Sequence, residues 1–138
     1  MSSIQSSRLL RSALAIDAAA CAGLGLLLSL GAGPLSELLG FPAGFLRGAG
    51  LILLPCAAML AWFAAHETLP RLVVFAVVGI NLIWITDSIA ILLTGWFAPT
   101  SAGIAFVLVQ AAAVALVTEF EVIGLRRSGP ALGSPVGG

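Results

Sequence analysis

Four long apolar stretches take up almost all of this 138-residue chain, and they constrain its fold more than any other feature. They cover residues 9–31, 48–65, 72–94 and 102–123. A helix rises about 1.5 Å per residue, so roughly 20 mostly apolar residues are needed to cross a hydrocarbon core of about 30 Å. The second stretch is the shortest and contains Pro55. Apolar residues make up 60% of the chain and charged residues 9%, where an ordinary soluble domain carries about 25% charged residues. Mean hydropathy is +1.15. Backbone polar groups in a bilayer must be satisfied within the segment, and a helix does this. The sequence therefore reads as all-α: an integral membrane, antiparallel four-helix transmembrane bundle. It forms one domain over residues 1–125, with a disordered cytoplasmic tail over 126–138, where Gly, Pro and Ser dominate.

Arginine placement orients the spans, because cytoplasmic loops retain basic residues. Arg8 and Arg11 precede the first span, Arg71 separates the second and third, and Arg126 and Arg127 follow the fourth. Only Arg47 falls on the opposite side. The expected location is a bacterial inner membrane, with both termini cytoplasmic. Arg8 and Arg11 before an apolar run also resemble the start of a signal peptide. Asp17 within that run, and its continuation past Cys21, argue against cleavage. The connection 32–47 alternates leucine and phenylalanine with Pro34, Gly40, Pro42 and Gly44. Pro34 suits a first helical turn, so a short helix lying in the interface is expected here. Trp96 and Phe97 in the next outer connection fit an aromatic belt.

Small residues recur every four positions: Ala13, Asp17, Cys21 and Gly25; Ala57, Ala61 and Ala65; Ala111 and Ala115. Helices in lipid associate through close backbone approach at such residues, so these rows are expected to face the bundle centre. Ionisable groups within spans cost about 2.5–3.5 kcal/mol at the helix centre on insertion scales, which makes each a functional candidate. Asp17 stands roughly 12 Å into the first span and Asn81 roughly 13 Å into the third from the same side, so the two are at one level. Asp87 and Gln110 fall at a second level. Asp17, Asn81, Asp87 and Gln110 together form the candidate intramembrane polar site. Glu119 and Glu121 lie where the fourth span leaves the membrane, and are expected to pair with Arg8, Arg11 or Arg71.

Several chemistries lack their residues. Cys21 and Cys56 share a depth, but no Cys-x-x-Cys accompanies them, and buried thiols in apolar surroundings are inert. His66 is the sole histidine, so no metal-ligand spacing and no bis-histidine haem can be assembled. No catalytic residue, cofactor site or metal site is expected, and no basic face for nucleic acid. The order Arg8-Leu-Leu-Arg11 before Asp17, Gly40-Phe-Pro, Arg47-Gly-Ala-Gly50, Asn81-Leu-Ile-Trp84 and Gly124-Leu-Arg-Arg127 resembles uncharacterised small four-span bacterial inner-membrane proteins. That resemblance implies the fold and no activity. Small multidrug exporters are similar in size and span number, but use a lone glutamate in the first span where this chain has Asp17. The expected role is a non-enzymatic accessory subunit or assembly factor of a membrane complex. The alternative is a small oligomeric transporter or proton/ion conduit using Asp87 with Asp17. The expected partners are the lipid bilayer and either another membrane protein or further copies of the chain.

Overall fold

The structure, a computed structural model, describes residues 3–130. The described residues form five helices, four of them long and apolar enough to cross a membrane. In order these are α1 (Arg8–Leu30), the short α2 (Ala32–Leu39), α3 (Ala43–Ala65), α4 (Arg71–Leu93) and α5 (Ser101–Arg126). The third element starts five residues earlier than the apolar stretch that signalled it and runs through Pro55 without a break. Pro55 removes one backbone donor, a loss that neighbouring groups and small local adjustments absorb in apolar helices.

Capping residues explain several boundaries. Ser7 accepts from Leu10 N at 3.1 Å and so caps α1, and Thr100 accepts from Gly103 N at 3.1 Å and caps α5. Each satisfies one of the donors that a helix N-terminus leaves free. Pro42 and Pro70 precede α3 and α4 in extended conformation. Pro34 is the third residue of α2, where its missing N–H costs nothing. Gly40 ends α2 at φ 80°, a left-handed conformation that a side chain would strain.

The buried positions follow a narrow seam. In α3 they are Leu46, Gly50, Leu53, Ala57 and Leu60, alternately four and three apart. In α4 they are Val74, Val77, Asn81 and Ser88. This is the spacing that lets nearly aligned helices interlock side chains. The outer faces are also apolar: Leu51, Ile52, Leu72, Phe75, Leu82 and Ile83 are all exposed. A helix apolar all round is at home only where its outer face meets an apolar medium too.

Helix α1 packs against α3 and α5, and α4 packs against α5. Helices α1 and α3 approach closely at a pair of glycines. A Cβ placed on Gly50 would stand 2.7 Å from Gly25 O and 2.6 Å from Ser29 N. Of the expected small-residue rows, Ala13, Asp17 and Gly25 face inward, as does Ala57. Ala61 and Ala65 do not; they lie on the outer face of α3, because the seam passes from Ala57 to Leu60 instead.

Three short strands close one end: β1 (Ser3–Gln5), β2 (Thr68–Pro70) and β3 (Gly129–Pro130). Strand β1 lies between the other two and is antiparallel to both. Ile4 and Leu69 plug this end of the core beside Leu10, Leu14, Val74 and Leu125. Ser7 adds a latch: its Oγ donates to Gly124 O at 2.7 Å and its N–H to Ser128 Oγ at 2.9 Å. The expected tail is therefore corrected for residues 126–130. Arg126 is helical, Ser128 is buried and bonded, and residues 129–130 pair with β1. Residues 131–138 of that tail lie outside the described residues.

Helix α2 closes the other end. Leu39 O accepts from Thr100 N at 3.0 Å, and Thr100 Oγ1 donates to Leu38 O at 2.7 Å. Phe41, Phe45 and Phe97 cluster there with ring centroids 4.7–5.9 Å apart. A second apolar core fills this end, with Leu28, Leu46, Leu53 and Val107 among its members.

Candidate functional site

Three helices contribute one polar side chain each to a buried cluster between the two cores. Asn81 of α4 donates through Nδ2 to Asp17 Oδ2 of α1 at 3.0 Å, and to Glu121 Oε1 of α5 at 3.2 Å. Ionised carboxylates only accept, so the amide must turn its two N–H groups toward both acids. One asparagine thus ties α1, α4 and α5 together. Asp17 is 3% exposed and Glu121 0%.

Both carboxyls are thus held by the same amide. Asp17 Oδ1 has a weak donor, the Cys21 thiol at 3.6 Å. Glu121 Oε2 is buried with no partner. Among the described residues, the one hydrogen bond to Glu121 comes from Asn81. A buried acid is normally paired or fully hydrogen-bonded, so this oxygen is conspicuous.

The sequence pairing of Asp17 with Asn81 corresponds to a contact, but the other members of the candidate site need correction. Gln110 meets Trp84 and Ser88, not Asp87. Trp84 Nε1 donates to Gln110 Oε1 at 2.8 Å, and Gln110 Nε2 donates to Ser88 Oγ at 2.9 Å and to Val107 O at 3.0 Å. Asp87 is exposed on the outer surface of α4. The reason is rotational: Ser88 occupies the seam, and the residue before it points about 100° away. Glu121, expected to pair with Arg8, Arg11 or Arg71 where the span ends, is instead turned fully inward. Arg11 does not meet it; its Nε donates to Ala64 O at 3.1 Å.

A signal for Glu121 was present. Gln110 and Glu121 are eleven residues apart, three turns to within about 20°, so both lie on one face of α5. Glu119 and Glu121 are about 200° apart around the helix, so they cannot share an environment. Glu119 is exposed.

The cluster borders a cavity of about 270 Å³. Its polar wall consists of Asp17, Asn81, Trp84 and Gln110, and both cysteines line it as free thiols. The rest is aliphatic. A mostly apolar pocket with a few convergent polar groups is the usual form of a ligand site. His66, by contrast, is exposed at the end of α3, bonded through Nδ1 to Trp62 O at 2.7 Å. No group of three His, Cys, Asp or Glu side chains able to hold a metal occurs among the described residues.

No family model, curated protein or solved structure matches this chain.

Proposed function

We propose that this protein is a multi-pass protein of a bacterial inner membrane, an antiparallel bundle of four transmembrane helices with both termini cytoplasmic. Its proposed role is non-enzymatic: a small transporter or proton conduit, worked by Asp17, Asn81 and Glu121. The observation that carries this reading is the pair of buried acids held by one amide at the edge of a cavity. Acids within a bilayer-spanning segment are expensive and mark ion or proton pathways. Two acids bridged by one amide can hand a proton from one to the other when the amide changes partner, and a cavity beside them gives access. Asp87, exposed on α4, is not part of this mechanism.

The test is proton flux into proteoliposomes loaded with a pH-sensitive dye. Asp17→Asn and Glu121→Gln should each reduce flux at least tenfold, while Asp87→Asn leaves it unchanged. Flux that survives both of the first substitutions refutes the conduit.

A second reading, an accessory subunit or assembly factor, is favoured by one observation. Ala15, Ala19, Ala22, Ala58, Ala61 and Ala65 line a shallow groove on the outside of α1 and α3. Small side chains of this kind admit a neighbouring helix at short distance. A stoichiometric foreign protein retained after extraction in mild detergent, with no flux in the liposomes, would decide for that reading.

A further inference from the structure

We infer that the cavity beside Asp17 binds a small amphiphilic amine, which enters sideways between α3 and α4 and sets its ammonium head against Asp17. The inference rests on the carboxyl cluster being the working site, and it adds the class of ligand and the route.

The route follows from the packing. Helix α1 contacts α3 and α5, and α4 contacts α5, but α3 makes no comparable contact with α4. The cavity lies along that open seam. Ile52 and Met59 of α3 and Ile80 of α4 line it and are also 62%, 37% and 47% exposed. The cavity wall therefore continues onto the outer apolar surface. A molecule dissolved in the surrounding apolar phase reaches Asp17 without crossing a polar boundary.

The head group follows from the hydrogen-bond inventory. Both N–H groups of Asn81 are committed to the acids, and Gln110 is occupied by Trp84, Ser88 and Val107. The unmet groups are acceptors: Glu121 Oε2 has no partner, and Asp17 Oδ1 has only the distant thiol. Asp17 lines the cavity and Glu121 does not, so the charge that the cavity meets is that of Asp17. An ammonium brings up to three donors and no acceptor, which complements this wall. A neutral alcohol brings one donor and no charge, and an anion meets two acids with no cation.

Size restricts the remainder. At about 270 Å³ the cavity falls just below the roughly 300–1,000 Å³ of common small-molecule sites. It suits a single short apolar tail. A phospholipid amine fits poorly, because its phosphate would enter a wall with no basic residue.

The experiment uses Trp84 as the reporter. Trp62 and Trp96 lie far out on the surface, at 66% and 78% exposure, so Trp62→Phe and Trp96→Phe leave Trp84 as the sole tryptophan. The full chain, in phosphatidylcholine nanodiscs, is titrated with n-octylamine and separately with n-octanol. The expected result is saturable binding of one octylamine per chain, with octanol at least tenfold weaker. Asp17→Asn should weaken octylamine about tenfold or more and leave octanol alone, the loss expected for one charge-assisted bond. Equal affinity for the two ligands, or an unchanged Asp17→Asn, overturns the proposal. Ile80→Phe, at the exposed mouth, should slow octylamine association severalfold; an unchanged rate overturns lateral entry. Binding that disappears in phosphatidylethanolamine nanodiscs assigns the site to a lipid head and overturns the free amine. If octylamine fails while flux still depends on Asp17 and Glu121, this inference falls alone. If it binds with no flux, the binding site stands and the conduit falls.

Discussion

Replacing Asn81 with alanine removes the side chain that, among the described residues, hydrogen-bonds to both acids, and the cost can be worked from the two bonds lost. They run to Asp17 Oδ2 at 3.0 Å and to Glu121 Oε1 at 3.2 Å, both between helices. Hydrogen bonds to charged groups are worth about 1.5–3 kcal/mol in soluble proteins. Interhelical bonds measured in a membrane protein average about 0.6 kcal/mol and reach about 1.7, because the unfolded state in lipid also finds partners. For the proposed placement in a bilayer the second scale applies. Two bonds therefore give a loss of about 1.2–3.4 kcal/mol for Asn81→Ala. The assay is unfolding by sodium dodecyl sulfate in mixed micelles, followed by far-ultraviolet circular dichroism, run as a double-mutant cycle with Glu121→Ala. The coupling energy should lie near 0.6–1.7 kcal/mol, the share of one bond. An Asn81→Ala protein within about 0.5 kcal/mol of the parent, the scatter of ordinary surface substitutions, refutes the claim that this amide holds three helices together.

Two further predictions address the frame around the site. Gly50→Val places its Cβ within 2.7 Å of Gly25 O and 2.6 Å of Ser29 N. The α1–α3 contact must open, and the same unfolding assay should show a loss of about 1–3 kcal/mol, typical of overpacking; a neutral result would mean that the two helices do not cross so closely. Ser7→Ala removes both the cap of α1 and the bond to Gly124 O, and should cost about 1–2 kcal/mol. Hydrogen exchange should then accelerate at the start of α1 and the end of α5 together, whereas acceleration in α1 alone would argue against the latch.

How much of this was legible in the chain can be traced residue by residue. Each long helix was visible from its length of apolar residues, and the short α2 from Pro34 and Gly40. Pairing Asp17 with Asn81 needed only their depths, because a helix converts position into height at a constant rise. The cap at the strand end was not visible. Strands of two or three residues carry no periodicity, and β1 pairs with segments about 65 and 125 residues away. Glu121 and Asp87 were misplaced for one shared reason. In a soluble helix the polar face marks the outside, so rotation can be read from the pattern. In these helices the inner and outer faces are equally apolar, so composition leaves rotation about the axis undetermined. Only the packing of α4 and α5 turns Ser88 and Glu121 inward and leaves Asp87 outside. Height along each helix was written in the residue count, while the direction each acid faces was decided by which neighbour fills the seam.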